Sequence, residues 1–200
     1  MKLFVTLTSP FARKCRVTVS ALGLSPLVSI HTIDPWTDES IRTLNPLAKV
    51  PTLLRDDGSS LYDSDVIVEY LHSFPSQRTL IPQAGEERWR ALRLQAMTDD
   101  ACAAVGRLYV AENNPASLDS WALGKRRLRT AVHSVLDRLE NENLNSKSWD
   151  LGDLCSALLP SYYSLRFPDR DWRTGRPRLS KFVNEMEGLP SFQANQFQHQ

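Results

Sequence analysis

Every strand-like run in this 200-residue chain falls before residue 64, and everything beyond a Pro- and Ser-containing stretch at 73–85 repeats with helical spacing. That break constrains the fold more than any other feature. In the first part, KLFVTL (2–7), LVSIHTI (27–33), PTLLRD (51–56) and SSLYD (59–63) read as strands. The last two flank Asp57–Gly58, a pair that favours a tight hairpin because both residues tolerate positive φ. Ser9–Pro10 opens a helix, with a hydroxyl at the cap and proline where its missing N–H costs nothing. That helix runs to Leu22 and stops at Gly23. DESIRTL (38–44) reads as a short helix or turn, and Val66, Ile67, Tyr70, Leu71 and Phe74 recur at helical spacing. The order is β-α-β-α-β-β-α, an α/β domain over 1–78.

The remainder, 85–200, reads as an all-helical domain. Trp89, Leu92, Ala96, Met97, Ala101, Ala104, Val105 and Leu108 trace one stripe. Three further helices carry Trp121 to Leu139, Leu151 to Leu165 and Leu179 to Met186. Asp150 and Asp153 stand at cap and N3 of the second of these, the two ends of a capping box.

Charge and cysteine usage exclude several function classes. A net charge of +1 gives no basic footprint for nucleic acid, and Lys125–Arg126–Arg127 reads as a solvated helix face. No apolar run approaches the roughly 20 residues of a membrane span, and the N-terminal apolar segment is too short and interrupted for a signal peptide, so a cytoplasmic location is expected. Cys15, Cys102 and Cys155 form no CxxC pair, and with four scattered histidines they give no metal-ligand pattern; no metal is expected.

Two groups near the first helix start offer chemistry, the hydroxyl of Ser9 and the thiol of Cys15. Cys15 lies one and two-thirds turns beyond Ser9 and follows i, i+4, i+7 with Val19 and Leu22, so it reads as core. Ser9 is left at the tip. Taken alone it is a helix cap, the usual work of such a serine.

TSPFARK at the first strand–helix junction, LNPLAKVP before the third strand, LYDSDVIVEYL after the fourth and DWRTGRPRLSKFV near the C-terminus change that reading. In this order and spacing they resemble the glutathione transferase superfamily over essentially the whole chain, and are most similar to its bacterial YibF-like members. The resemblance implies a thioredoxin-like N-terminal domain, an all-α second domain and a homodimer. It implies reduced glutathione as co-substrate, no permanently bound cofactor, and transfer of the glutathione sulfur to a small hydrophobic electrophile. Ser9 would then donate a hydrogen bond to the thiolate and lower its pKa, though Thr8 or backbone N–H groups stand as alternatives. Phe11 would lie beside the thiol. Val50–Pro51 would be cis and present the Val50 backbone to the cysteinyl part. Lys49 would approach the glycyl carboxylate, its alternative being a solvated lysine. Ser64 would hold the γ-glutamyl carboxylate and Asp63 its amine, the alternative again being a plain helix cap. Aspartate at 63 is shorter than the glutamate frequent there.

Asp99 and Asp100 correspond to a family position that reaches across the dimer to glutathione, against the plainer reading of a surface or interface ion pair. The electrophile pocket is expected between the domains. Phe11 and Tyr109 are its first candidates, with Tyr162 and Trp172 as further aromatics. Two other classes compete with the transferase reading. A glutathione-dependent thiol oxidoreductase or peroxidase would want cysteine at the helix tip, where Ser9–Pro10–Phe11–Ala12 has none. A non-catalytic regulator on this fold would be expected to lose the glutathione-binding residues. Arg13 and Lys14 read either as a positive field near the sulfur or as solvated cations.

Overall fold

In the computed structural model, residues 1–113 and 121–198 are described. The chain forms two compact units, Met1–Ile81 together with Leu189–Gln200, and Pro82–Gly188. The first holds a four-stranded sheet of β1 (Lys2–Val5), β2 (Ser29–Thr32), β3 (Thr52–Leu54) and β4 (Ser60–Tyr62) in the order β2-β1-β3-β4. β1 and β2 are parallel and joined through α1 (Pro10–Ala21), while β3 runs antiparallel to both β1 and β4. The β3–β4 hairpin turns at Gly58, whose φ of +83° is one that glycine adopts freely. A short α2 (Ile41–Leu44) precedes β3, and α3 (Ser64–His72) follows β4. The βαβαββα order read from the sequence is the observed one, with strands shorter by up to two residues at an end and β1 keeping its start at Lys2.

Leu3, Val5, Cys15, Leu53, Ile67, Val68 and Leu71 are fully buried and make the core of this unit. Transfer of such side chains out of water supplies about 1.5–3 kcal/mol each. α1 packs against α3 and against α8 (Pro190–Gln193), a short helix of the C-terminal segment. The sequence placed residues 189–200 in the helical domain; the described part of that segment, 189–198, packs instead with the first unit. The cause is the basic face of α1. Arg13, Lys14 and Arg16 are almost wholly buried, and two of them hold the tail.

The second unit is helical throughout its described residues: α4 (Gly85–Asn113), α5 (Ala122–Glu140), α6 (Leu151–Arg166) and α7 (Pro177–Glu187). α4 packs on α5 and α6, and α7 on α5 and α6. The buried line of α4 runs through Ala91, Leu94, Gln95, Thr98, Ala101, Cys102, Val105 and Leu108. The stripe read from the sequence is therefore corrected at its N-terminal half: Trp89 is 63% exposed and Ala96 is exposed. A 29-residue helix carrying apolar residues on more than one side has no single face that periodicity alone selects. The capping box at α6 forms as expected. Asp150 accepts from the Asp153 N–H at 3.0 Å, Asp153 accepts from the Asp150 N–H at 3.2 Å, and Arg90 bridges both carboxylates. Among the described residues no helix is long and apolar enough to cross a membrane.

Candidate functional site

Sheet register brings the sequence-predicted residues of the first unit to one place. Phe4 pairs with Thr52, so the start of β3 lies beside the end of β1. Thr52 pairs in turn with Tyr62, so the end of β4 joins them. Ser9 follows β1, Pro51 precedes β3 and Asp63–Ser64 follow β4; all three segments meet the sheet at the same end.

Ser9 caps α1. Its backbone is extended (φ −78°, ψ 126°) and its Oγ accepts from the Ala12 N–H at 3.2 Å. Pro10 occupies the first helical turn, and no acidic residue stands there. The cap role and a donor role coexist, because a hydroxyl accepts through its lone pairs while its proton is free to turn elsewhere. Phe11 and Thr8 are half-buried beside it. Cys15 is fully buried, its Sγ 3.8 Å from the Ser64 carbonyl, as core packing predicts. Cys102 and Cys155 are likewise buried and unbridged.

The segment before β3 is clamped by side chains. Asn45 Nδ2 donates to the Lys49 carbonyl at 3.0 Å and to Thr52 Oγ1 at 3.1 Å, and Thr52 Oγ1 donates to that same carbonyl at 2.8 Å. Ala48 takes a φ of +49°, and the Val50–Pro51 peptide is cis. The Lys49 side chain is exposed. Among the described residues, neither the N–H nor the carbonyl of Val50 has a hydrogen-bond partner.

Asp63, not Ser64, is the cap of α3. Its Oδ1 accepts from the Asp65 N–H at 2.9 Å, and its φ is +73°. A non-glycine residue held there costs about 1–3 kcal/mol, which the surrounding structure must offset. Ser64 is the first helical residue and only 5% exposed. Its N–H has no partner among the described residues. Lys14 Nζ, fully buried, reaches Asp65 Oδ1 at 2.5 Å and ties α1 to the first turn of α3. The solvated alternative for Arg13 and Lys14 is thus overturned, since both side chains lie inside the unit.

In chemical terms, two helix N-termini and one unpaired peptide group stand at one sheet end. Such a set suits an extended, anionic, peptide-like ligand, since helix N-termini offer free N–H groups and partial positive charge. Among the described residues no three His, Cys, Asp or Glu are grouped to hold a metal ion.

The remaining candidates lie in the helical unit. Asp100 is exposed and Asp99 half-buried on α4. Tyr109 is half-buried, with its ring 6.0 Å from Phe167. Tyr162 is buried, and so is Trp172, whose Nε1 donates to Ser164 Oγ at 2.8 Å; the tryptophan is core. Arg166 was not singled out in the sequence. Its signal is the four-residue spacing from Tyr162, which places both on one side of α6.

Known proteins resemble this chain along its length. The family model of the glutathione S-transferase N-terminal domain matches residues 8–73. The uncharacterized GST-like protein YibF of Escherichia coli (strain K12) is 27% identical over 196 residues, covering 96% of each chain. A glutathione transferase family member from Pseudomonas fluorescens Pf-5, solved with bound glutathione, superposes with a TM-score of 0.91 at 30% identity over 99% of each chain. The structure from that organism with bound S-(propanoic acid)-glutathione gives a TM-score of 0.87 at 28% identity over 100% of each chain. With the sheet, the helical unit and the first unit's motifs matched end to end, the chain belongs to the glutathione transferase family.

Proposed function

We propose that this protein binds reduced glutathione at the sheet end that carries Ser9, Val50–Pro51 and Asp63–Ser64, and conjugates its thiolate to small electrophiles. The observation that supports it most is the convergence there of unused donors: the Ser9 proton, the Val50 peptide and the Ser64 N–H. In this reading the Val50 peptide pairs with the cysteinyl backbone, as one strand pairs with another. Ser64 holds the γ-glutamyl carboxylate at the N-terminus of α3, and Asp63, with one oxygen committed to the cap, turns the other to the γ-glutamyl amine. Lys49, whose side chain is exposed, meets the glycyl carboxylate.

The thiolate is the nucleophile, and a hydrogen bond to the charged form lowers its pKa. Ser9 supplies that bond while its oxygen stays anchored by the Ala12 N–H, so little reorganisation accompanies ionisation. Phe11 keeps the sulfur partly dry. The relatives from Pseudomonas fluorescens hold glutathione and one of its thioethers, which favours thioether formation as the reaction class. We further propose a cytoplasmic homodimer. Its contact face on α4 would include exposed Trp89 and Ala96, with Asp99 and Asp100 directed to the partner's glutathione.

The test is calorimetric titration with reduced glutathione, followed by turnover of an aromatic halide and of an organic hydroperoxide. Micromolar to millimolar binding with halide conjugation is the expected result. Binding with hydroperoxide reduction alone would make the protein a peroxidase, and absence of binding would remove both activities. Light scattering at several concentrations checks the dimer.

A further inference from the structure

Two consecutive residues of α1 hold two consecutive residues at the start of α3. Lys14 Nζ donates to Asp65 Oδ1 at 2.5 Å, and Cys15 Sγ donates to the Ser64 carbonyl at 3.8 Å. Ser64 Oγ donates to the same Asp65 oxygen at 3.5 Å. Lys14 is wholly buried while the Asp65 side chain is half exposed, so the cation reaches this surface charge from inside the unit. Burying an ammonium is costly, and lysine is among the residues least often found inside. Starting α3 does not require it. Asp63 already caps the first turn, and an exposed aspartate in a first turn is favoured by the helix dipole without a cation. The charges around Ser64 give the ammonium a use. Asp63 and Asp65 stand on either side of Ser64, whose N–H has no partner among the described residues. An anion arriving at that N–H meets two carboxylates. The amine of a γ-glutamyl group answers Asp63. Glutathione carries no second cation for Asp65, and Lys14 supplies one.

We infer that Lys14 is a positioning residue for the γ-glutamyl carboxylate of glutathione: it neutralises Asp65 so that the acid-rich tip of α3 accepts an anion. This rests on the glutathione reading and deepens it. Each charge at that end then has a partner. Asp63 faces the ligand amine, Asp65 faces Lys14, and the ligand carboxylate faces the Ser64 N–H and the positive end of α3. Burial shields the ammonium from salt, so its effect persists at ionic strengths that screen surface charges. The same helix serves both ends of the ligand. Ser9 at the tip of α1 meets the sulfur, while Lys14 and Cys15, little more than a turn further on, fix the residues that meet the γ-glutamyl group. The harmful state is Asp65 without Lys14; removing both charges together leaves the Ser64 N–H usable.

The experiment is calorimetry with two ligands, reduced glutathione and 4-aminobutyryl-cysteinyl-glycine, which keeps the amine and lacks the γ-glutamyl carboxylate. The proteins are the wild type, Lys14→Met, Asp65→Asn and the double variant. Lys14→Met should weaken glutathione by about 10- to 100-fold, the Coulomb cost of one carboxylate left a few ångströms from another in a partly solvated site. The analogue, having no carboxylate to repel, should change by less than about threefold. Adding Asp65→Asn to Lys14→Met should bring glutathione back to within about threefold of the wild type. Asp65→Asn alone leaves the buried cation unopposed and should raise the preference for glutathione over the analogue, which gives a reading even where Lys14→Met does not fold. In turnover, the loss in Lys14→Met should fall on KM for glutathione and not on kcat. Unchanged glutathione affinity in Lys14→Met, equal weakening of both ligands, a double variant no better than Lys14→Met, or a lower preference in Asp65→Asn overturns the assignment. Absence of glutathione binding in the wild type removes the glutathione reading itself and this assignment with it.

Discussion

Arg13 donates from Nε to the carbonyl of Asn195 at 2.8 Å, across 182 residues of sequence. Its guanidinium carbon also lies 4.6 Å from the Phe197 ring centre and 5.4 Å from that of Phe192. Arg16 reaches the Gln196 carbonyl at 3.3 Å, and the Gln198 N–H reaches the Leu7 carbonyl at 3.3 Å. The C-terminal segment thus closes over the helix whose tip carries Ser9. Burial, with Arg13 beside it, pushes the Arg16 guanidinium down to about 10, still fully charged at neutral pH. Buried cations are costly unless their donors are used, and the tail supplies carbonyls and ring faces to Arg13 and one carbonyl to Arg16, whose Nε is left without a partner among the described residues.

Ending the chain at Gly188 should therefore destabilise the first unit by about 3–5 kcal/mol, the range for stranding buried charge and emptying an aromatic site. Arg13→Met should cost less, because the cation disappears along with the need for partners. Urea midpoints give the comparison. A truncated chain as stable as the full one would show the tail to be incidental.

Local chemistry made much of this fold legible in the sequence. Ser9–Pro10, Asp57–Gly58 and Asp150 with Asp153 each act within a few residues, and each does what its residue types suggest. Cys15 was readable as core from its spacing to Val19. Long-range partners left no such mark. Arg13, Lys14 and Arg16 look like any solvated basic run, since the carbonyls of 192–196 and the carboxylate of Asp65 that receive them are remote in sequence. The cap of α3 was open between two residues for a related reason. Both Asp63 and Ser64 cap well, and the positive φ that settles the choice on Asp63 is a property of the folded turn. On α4, small residues decided the buried face: Ala91 and Ala101 are buried while the larger Trp89 is left exposed.

Close approach of α4 and α6 gives a second prediction. A Cβ built on Gly152 would lie 2.9 Å from the Ala91 Cα and 3.0 Å from the Ala91 carbonyl oxygen. Both are backbone atoms and cannot swing aside. Gly152→Ala should destabilise by about 1–3 kcal/mol as overpacking, although alanine is the better helix former by about 1 kcal/mol. Ala91→Gly should fail to rescue it, because the obstacle is main chain. A melting temperature that rises in Gly152→Ala would mean that the two helices separate freely.

Acid should weaken the helical unit through Glu142. Burial raises its pKa, but hydrogen bonds from Arg93 and Arg138 outweigh burial and hold it below the usual 4.5. A carboxyl depressed in the folded state stabilises above its unfolded pKa and loses that contribution as pH falls through the folded value. Asp153 has the opposite sign. Burial raises its pKa despite the Arg90 hydrogen bond, so its contribution improves on acidification. Glu142→Gln should therefore flatten the fall in stability below about pH 4.5. Urea midpoints measured across that window test it, and parallel curves for wild type and variant would discard Glu142 as the acid-sensitive group.

Ser9→Ala separates the two uses of one hydroxyl. Losing the cap to the Ala12 N–H should cost about 1 kcal/mol of stability, with or without ligand. Losing the donor to the thiolate should raise the pKa of bound glutathione by about one to two units, the equivalent of a hydrogen bond to a charged group. The sign follows: a higher thiol pKa leaves less thiolate at low pH, so kcat/KM should fall more at about pH 6.5 than at about pH 9. Ser9→Thr keeps both the cap and the donor and should retain most of the activity. Thiolate ultraviolet absorbance titrated in the glutathione complex measures the shift directly. If Ser9→Ala loses stability while the titration stays in place, the hydroxyl only caps α1, and the thiolate is held by Thr8 or by the Phe11 N–H.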